Sequence, residues 1–308
     1  KKLTDETTEA LQTRSGFNLL DLKTSSQWAA PGTMIAFGGR SNSGKTAFLI
    51  NLAYNMATLN EDVVVLFHTI DDSRYIVIPK FVAMDSKIKI NHIITPEFSK
   101  QFYGTGTIDL IKSRDESYKK LVNLAMEDRL IIKDSELGVS LEAVDQWVKQ
   151  YRKEYPNRKI IYFLDNFHLL SDMTSIPDER VRNKERSKMI KKIATKYGIT
   201  IFMTVEYTKI PPGHRPHNFD ILETGQIEYD CNAIYHMYNP YSDIKDECDQ
   251  DKWTWMEYDE VVGTTLVKPR TELITGKSKL RAFNGSYFFH LSPEISYFEE
   301  EDNTREAI

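Results

Sequence analysis

The sequence predicts an α/β protein with a mainly parallel, twisted β-sheet, helices on both faces and antiparallel hairpin strands near its C-terminus. Three observations support this fold class. Short apolar runs alternate with amphipathic helical segments between residues 33 and 238. The runs are continuously apolar, which is typical of strands buried on both faces. Beyond residue 263 the chain carries two β-rich segments with no helical pattern between them.

The elements follow in a regular order. We predict strands at the apolar runs 34–37, 63–67, 130–132, 160–164, 200–204 and 233–238. Helical periodicity predicts helices over 46–57, 118–126, 141–155 and 183–197. The segments 264–275 and 286–297 are expected to form hairpin or edge strands. We therefore divide the chain into a linker or docking segment (1–30), an α/β domain (31–298) and an acidic, disordered tail (299–308).

The composition excludes some functions. The 308 residues carry a net charge of −5, so DNA binding would need a local basic patch. No apolar run is long enough to cross a bilayer, and we expect no membrane partner. Cys231 and Cys248 lack metal-ligand or redox spacing, which predicts reduced thiols and a cytoplasmic location. The first residue is Lys rather than Met, which suggests a part of a longer chain.

One motif between the first predicted strand and helix indicates a phosphate-binding loop. The pattern G-x-x-x-x-G-K-[ST] is matched by Gly39, Arg40, Ser41, Asn42, Ser43, Gly44, Lys45 and Thr46. Glycines let backbone N–H groups converge on phosphate oxygens, and the helix N-terminus adds positive potential. Lys45 would reach the β- and γ-phosphates of ATP, and the Thr46 hydroxyl would bind Mg²⁺. Because both flanking elements have the right type, a chance match in a glycine-rich turn is disfavoured.

Carboxylates are expected beside this loop. The run 160–164 ends in Asp165, a position from which ATPases hold the magnesium shell, although strands also end in Asp simply to form turns. Asp71 follows the strand 63–67 and is our candidate to orient the attacking water. Asp72 is the alternative, and either aspartate could instead cap a helix that begins near Ser73. Spacing alone does not decide between these roles.

Further motifs occur in a specific order. They are Gly16-Phe17 with Leu20-Asp21, Pro31-Gly32, the phosphate loop, LDNFHLL at 164–170, TVEYTK at 204–209, LETGQIEYD at 222–230, and ELI at 272–274 followed by Lys277 and Lys279. Together they resemble the ATPase domain of the ring-forming replicative helicases of bacteria and phages, the DnaB-like family on a RecA-like core. The resemblance covers nearly the whole chain, from about Gly16 to Glu299.

The resemblance implies a RecA-like fold and an ATP-driven helicase that assembles as a homo-hexameric ring. ATP would bind at subunit interfaces, single-stranded DNA would pass through the channel, and translocation would run 5′ to 3′. Primase and a helicase loader are the implied partners. The family's N-terminal collar domain is not covered by the resemblance. We expect a phage-encoded member that acts in the host cytoplasm.

Three residues depart from the family's pattern. Asp71 takes the place of a catalytic Glu and is shorter by a methylene. Glu206 stands where Gln usually senses the γ-phosphate, and its carboxylate would repel the phosphate unless protonated or turned away. Lys279 stands where an arginine finger is expected and lacks the bidentate fork. Arg281 could substitute, and Lys277 keeps its expected type; a solvated basic hairpin is the alternative for this cluster.

Two loops, at 173–182 and 210–224, are expected to face the channel. The basic residues in or beside them are the candidate DNA contacts: Arg180, Arg182, Lys184, Lys209, His214 and Arg215. Ordinary solvated charge is the alternative for each of them. No base-reading motif is present, so binding without sequence preference is expected.

Two other functions stay open beside the helicase motor. A RecA-like ATPase that does not unwind DNA is the first, and the ordered C-terminal motifs argue against it. A nucleotide-binding ring or loader subunit that hydrolyses poorly is the second. The departures at Asp71, Glu206 and Lys279 keep it open.

Overall fold

A computed structural model describes residues 12–24, 26, 28–97, 107–172, 175–222, 225–259, 263–280 and 285–301. The strands are β1 (Thr33–Gly39), β2 (Val63–Thr69), β3 (Leu130–Lys133), β4 (Lys159–Asp165), β5 (Thr200–Val205), β6 (Ala233–Tyr238), β7 (Thr254–Asp259), β8 (Thr264–Ser278), β9 (Ser286–Ser292) and β10 (Tyr297–Glu300). The α-helices are α1 (Asn18–Thr24), α2 (Lys45–Leu59), α3 (Arg74–Ser86), α4 (Ile90–Ile94), α5 (Thr107–Met126), α6 (Leu141–Glu154), α7 (Glu179–Tyr197), α8 (Gly225–Asp230), α9 (Pro240–Ile244) and α10 (Gln250–Trp253).

The strands form one sheet in the order β10-β9-β8-β6-β1-β5-β4-β2-β3, and β7 pairs with β8 beside this path. The strands from β6 to β3 in this order are parallel, whereas β7, β8, β9 and β10 pair antiparallel. The predicted fold class is therefore confirmed. The parallel strands end together at one edge of the sheet, which we name the carboxyl edge (Gly39, Thr69, Asp165, Val205). They begin together at the amino edge (Thr33, Val63, Lys159, Thr200, Ala233).

The sheet is buried on both faces. Alternate residues of a strand point to opposite faces. In β1, Ile35 and Phe37 pack in one apolar cluster with α1, α2 and α3, while Met34 and Ala36 pack in a second cluster with α6 and α7. A strand covered on both faces must be apolar at every position, which is why the continuous apolar runs predicted these strands.

Two predicted helices begin earlier than expected. Helix α5 begins at Thr107 rather than residue 118, and α7 begins at Glu179 rather than residue 183. Asp178 is the N-cap of α7, since its carboxylate accepts the N–H of Arg180 at 2.8 Å. This capping bond satisfies a free N–H at the helix start and extends the helix through a stretch that is polar by composition. None of the helices in the described ranges is both long and apolar enough to span a membrane.

Both ends of the described chain pack against the α/β domain. Phe17, Leu20 and Trp28 are buried in the same cluster as α2, so the described part of the segment 1–30 belongs to the α/β domain. At the other end, the carboxylate of Glu300 accepts the N–H groups of Leu19 and Leu20, both at 2.9 Å. Within the tail predicted at 299–308, Glu299 and Glu300 belong to β10, which pairs with β9, and the Glu300 side chain satisfies N–H groups at the N-terminus of α1.

Candidate nucleotide site

The predicted phosphate loop joins β1 to α2 at the carboxyl edge. Gly44 has a φ of 92°, in the left-handed region that favours glycine. A Cβ at Gly44 would lie 2.9 Å from a ring carbon of Phe298, and a Cβ at Gly39 would lie 2.3 Å from Ser43 Oγ. The packing of the loop against β10 and against its own Ser43 therefore disfavours a side chain at either glycine of the motif.

Lys45 occupies the first turn of α2. Its Nζ donates to the carbonyl oxygens of Gly39 and Arg40, at 2.8 and 3.0 Å. Burial lowers the pKa of Lys45, while the negative charges of Glu206, Asp165 and Asp71 raise it. These three carboxylates follow or end three different strands, and the parallel topology brings them to one place.

Asp165 ends β4 with a buried carboxylate. Thr46 Oγ1 donates to its Oδ2 at 2.7 Å, and Thr204 Oγ1 donates to its Oδ1 at 2.6 Å. Burial raises the pKa of Asp165, although both hydrogen bonds and the charge of Lys45 act in the opposite direction. The contribution of Thr204 was not predicted, because it depends on β5 lying next to β4 in the sheet.

The donor set of Thr46 and Asp165 fits a magnesium ion. Mg²⁺ prefers hard oxygen ligands and is usually held by one or two carboxylates together with water and substrate phosphates. Within the described ranges no cluster of three or more His, Cys, Asp or Glu could hold a metal by itself. The pair therefore suits an ion whose other ligands come from a nucleotide and water.

The structure distinguishes Asp71 from Asp72. Asp72 forms an ion pair with Lys80 at 2.8 Å. Asp71 is exposed in the cleft, and the described residues provide no hydrogen-bond donor or cation in contact with its carboxylate. Ser73 is the N-cap of α3, and the N–H of Arg74 donates to Asp134 Oδ2 at 3.0 Å, so the alternative that Asp71 or Asp72 caps this helix is wrong. Asp71 thus stays available to a water molecule, as its predicted role requires.

Glu206, at the sensor position, follows β5 and is oriented by Asn166. Asn166 Nδ2 donates to Glu206 Oε1 at 2.9 Å. Sequence reasoning did not select Asn166, since an Asn after a strand is an ordinary turn residue. The contact holds the carboxylate at the cleft.

These side chains line one cleft of about 790 Å³ at the carboxyl edge. Its lining includes Asn42, Gly44, Lys45, Thr46, Asp71, Asp72, Lys80, Asp165, Asn166 and Glu206. Around Lys45, one ammonium faces three carboxylates, which leaves two negative charges in excess when all are ionised. A triphosphate would therefore enter together with a cation.

Comparison with known proteins identifies the family. The sequence profile of the DnaB-like helicase C terminal domain matches residues 13–285. The chain belongs to this family. The RecA-like fold predicted from the motifs is confirmed by solved structures of the same architecture.

Two curated relatives of this helicase domain are replicative DNA helicases DnaB of Buchnera aphidicola. The protein of subsp. Baizongia pistaciae (strain Bp) is 22% identical over 241 residues, and that of subsp. Schizaphis graminum (strain Sg) is 23% identical over 230 residues. The alignments cover 75% and 73% of this chain but 48% and 45% of the relatives. The chain thus spans about half the length of the curated relatives it matches.

Two solved structures are similar in fold. One is an ATPase domain that gives a TM-score of 0.79 at 18% identity, covering 98% of this chain and 96% of that one. The other is a DnaB-like replicative helicase, studied with its interactions with primase. It gives a TM-score of 0.75 at 18% identity and covers 93% of this chain and 61% of that one.

Two of the predicted finger residues, Lys277 and Lys279, do not line the cleft and lie toward the opposite edge of the sheet. Lys277 pairs with Ile234 at the start of β6, at the amino edge. Its Nζ donates to the carbonyl oxygens of Glu228 and Tyr229, and Lys279 Nζ lies 5.9 Å from the ring centroid of Tyr229. Ile234 is level with Ala36, three residues before Gly39, or about 10 Å along the strand. Arg281 lies outside the described residues.

Three of the predicted DNA contacts are paired with acids of their own chain. Arg182 pairs with Glu179, His214 Nε2 lies 3.0 Å from Asp220 Oδ2, and both guanidinium ends of Arg215 contact Glu272. The Glu272 carboxylate is buried, and the distance from Arg215 Nη2 to its Oε1 is 2.6 Å. Arg215 therefore stabilises the fold, which the sequence could not reveal because its partner is far along the chain.

The other three cations are exposed. Arg180, Lys184 and Lys209 make no salt bridge with residues in the described ranges. Arg180 and Lys184 lie on α7, as Arg182 does, so their expected place in a loop at 173–182 is wrong for Arg180 and Arg182. Lys209 follows the sensor segment at the carboxyl edge, as expected.

Proposed function

We propose that this domain is the ATP-hydrolysing motor of a replicative DNA helicase. The convergence of Lys45, Thr46, Asp165 and Asp71 on one cleft carries the proposal. Backbone N–H groups of the phosphate loop and the Lys45 ammonium bind the β- and γ-phosphates. Asp71, free of other partners among the described residues, accepts a hydrogen bond from the attacking water and aligns it with the γ-phosphate.

Thr46 and Asp165 would hold the magnesium ion. When bound, the ion neutralises charge that develops on the phosphate oxygens. The hydrogen bonds from Thr46 and Thr204 fix both oxygens of Asp165, so the carboxylate meets its ligand without rearranging. Glu206 would slow hydrolysis, because its negative charge repels the γ-phosphate.

The active site is proposed to form between two copies of the chain. Lys277 and Lys279 contact α8 at the amino edge and are remote from the cleft at the carboxyl edge. A second copy that packs its amino edge against this cleft would supply one of these lysines, or Arg281, to the γ-phosphate. Head-to-tail contacts form a ring when the rotation between neighbours closes and a filament when it does not, and the family resemblance favours a ring of six subunits.

Exposed Lys209, Arg180 and Lys184 are the favoured contacts to single-stranded DNA in the channel of such a ring. Translocation from 5′ to 3′, a helicase loader and a cytoplasmic location belong to the same proposal. Primase is included because a structurally similar DnaB-like helicase has interactions with primase.

The decisive experiment measures ATP turnover with and without single-stranded DNA, together with unwinding of a forked duplex. DNA-stimulated turnover and unwinding, both lost in Lys45→Ala, are expected. Strand exchange without unwinding would instead support a recombinase-like ATPase. Nucleotide binding without turnover would support a ring or loader subunit, a function that the extra charge of Glu206 favours. Mass measurement with an ATP analogue and DNA present would test for a six-subunit species.

A further inference from the structure

Arg40, the second residue of the phosphate loop, turns its guanidinium away from the nucleotide cleft. Its Nη1 donates to the carbonyl oxygens of Ile210 and Pro211, at 2.7 and 3.0 Å. Its Nε forms an ion pair with Asp243 Oδ1 at 2.9 Å. A single side chain therefore joins the phosphate loop to the segment that follows Lys209 and to helix α9.

Asp243 completes this connection. Its second oxygen, Oδ2, accepts the N–H of Gly213 at 2.6 Å. The side chains of Arg40 and Asp243 are 33% and 18% exposed, so the pair is partly shielded from solvent. A Cβ at Gly213 would lie 2.8 Å from Ile244 Cδ1, and the residue has a φ of 69°, so glycine permits this close approach. We name Arg40, Asp243 and residues 210–213 the clasp.

The clasp holds the middle of a loop whose base is fixed elsewhere. At the base, the N–H of Leu222 donates to the Glu206 carbonyl, and the N–H of Thr208 donates to the Asp220 carbonyl, both at 2.8 Å. Within the clasp, Pro211 and Pro212 restrict the backbone, because proline fixes the φ angle of its residue. A shift of the clasp therefore displaces the loop that begins beside Lys209.

The clasp is also connected to Lys45, the residue proposed to bind the phosphates. The carbonyl oxygen of Arg40 accepts a hydrogen bond from Lys45 Nζ at 3.0 Å. A phosphate bound to Lys45 competes with this carbonyl for the ammonium protons. Nucleotide binding thus acts on the main chain of the residue whose side chain holds the loop.

We propose that the clasp couples occupancy of the nucleotide cleft to the position of residues 210–213, and thereby to affinity for single-stranded DNA. Arg40 and Asp243 are positioning residues in this scheme. The inference rests on the proposed function, because it takes the loop beginning at Lys209 as a DNA contact. By linkage, DNA bound at the loop changes nucleotide affinity by the same factor.

The test measures the affinity of the full chain for a fluorescent oligothymidylate, with and without a non-hydrolysable ATP analogue. The ratio of the two affinities is the coupling factor. Asp243→Asn removes the charge partner of Arg40 but keeps an oxygen for the Gly213 N–H, whereas Asp243→Ala removes both and Asp243→Glu keeps the charge. Asp246→Asn is the matched control, since it makes the same charge change at an exposed site nearby.

A coupling factor of one means that nucleotide has no effect on DNA affinity. We expect the factor in Asp243→Asn and Asp243→Ala to be closer to one than that of the parent, by about threefold or more. The control and Asp243→Glu should retain it, and nucleotide affinity without DNA should stay within about twofold of the parent in all variants. Thermal unfolding checks that each variant is folded. If Asp243→Ala does not fold, Asp243→Asn alone provides the test.

Four outcomes overturn the inference. A parental coupling factor in Asp243→Asn and Asp243→Ala would do so, as would an equal loss of DNA affinity with and without nucleotide. If the parent binds the oligonucleotide but nucleotide has no effect on that affinity, the clasp fails while DNA binding stands. If the parent binds no oligonucleotide in any state, the proposed function fails and the clasp with it.

Discussion

The two edges of the central sheet differ in whether their functional side chains converge on one site. At the carboxyl edge, Lys45 bonds the loop carbonyls, and Thr46 and Thr204 both donate to Asp165. At the amino edge, Lys277 and Lys279 contact α8 and are remote from any phosphate of their own cleft. One chain therefore brings together the groups proposed to bind a nucleotide, whereas Lys277 and Lys279, proposed to act on a γ-phosphate, lie at the opposite edge.

Removing the central cation of the carboxyl edge should have the largest effect. We expect Lys45→Ala to reduce ATP turnover by about 10²-fold or more, because no other described residue replaces its contacts to the phosphates. Steady-state hydrolysis measures this, with Lys149→Ala on the exposed face of α6 as the control. Turnover at the parental rate in Lys45→Ala would show that the nucleotide binds elsewhere.

The comparison between the edges predicts complementation between variants. Lys279→Ala and Asp71→Ala should each lose activity by about 10²-fold, since one stabilises charge and the other orients water. Mixed in equal amounts, they should recover activity, because about a quarter of the head-to-tail interfaces then combine an intact Asp71 with an intact Lys279.

ATP turnover of the mixture, relative to each variant alone, measures this recovery. If both residues served the cleft of their own chain, no mixture would exceed the separate variants. A mixture of Lys45→Ala with Asp71→Ala is the control, because both changes affect the same edge and should not complement.

An intermediate effect is expected from the excess negative charge at the carboxyl edge. Glu206→Gln removes one carboxylate near the γ-phosphate and should tighten ATP binding by about tenfold at low salt. ADP lacks the γ-phosphate and should gain less. Calorimetric titration of both nucleotides measures the difference, with Glu142→Gln on α6 as the control. Equal gains for ATP and ADP would place Glu206 away from the γ-phosphate.

The smallest effects concern DNA. Lys209→Ala should weaken single-strand binding a few-fold and reduce the salt slope of log affinity by about 0.7. Arg215→Ala should leave the slope unchanged but lower the unfolding temperature, because Glu272 already neutralises its charge and would be left buried without its partner. Fluorescence titrations over a salt series, together with thermal unfolding, distinguish the two residues. Equal changes in slope would contradict the assignment of Arg215 to the fold.

Several site residues were predictable because their signals are local. The phosphate loop needs two glycines, a lysine and a hydroxyl at fixed spacing, and all lie within eight consecutive residues. Asp165 was found because it ends a continuously apolar strand. Asn166 and Thr204 were missed, since their contacts to Glu206 and Asp165 depend on strand ends that are 40 and 39 residues apart in sequence.

The sequence by itself determined the strand and helix types, the phosphate loop and the family to which the domain belongs. Continuous apolar runs, helical periodicity and short motifs are properties of neighbouring residues. Tertiary structure decided which charges are already neutralised: Asp72 by Lys80, Arg215 by Glu272 and Arg40 by Asp243. It also decided that Lys277 and Lys279 lie at the opposite edge from the cleft, because strand order and direction arise from pairing between distant segments.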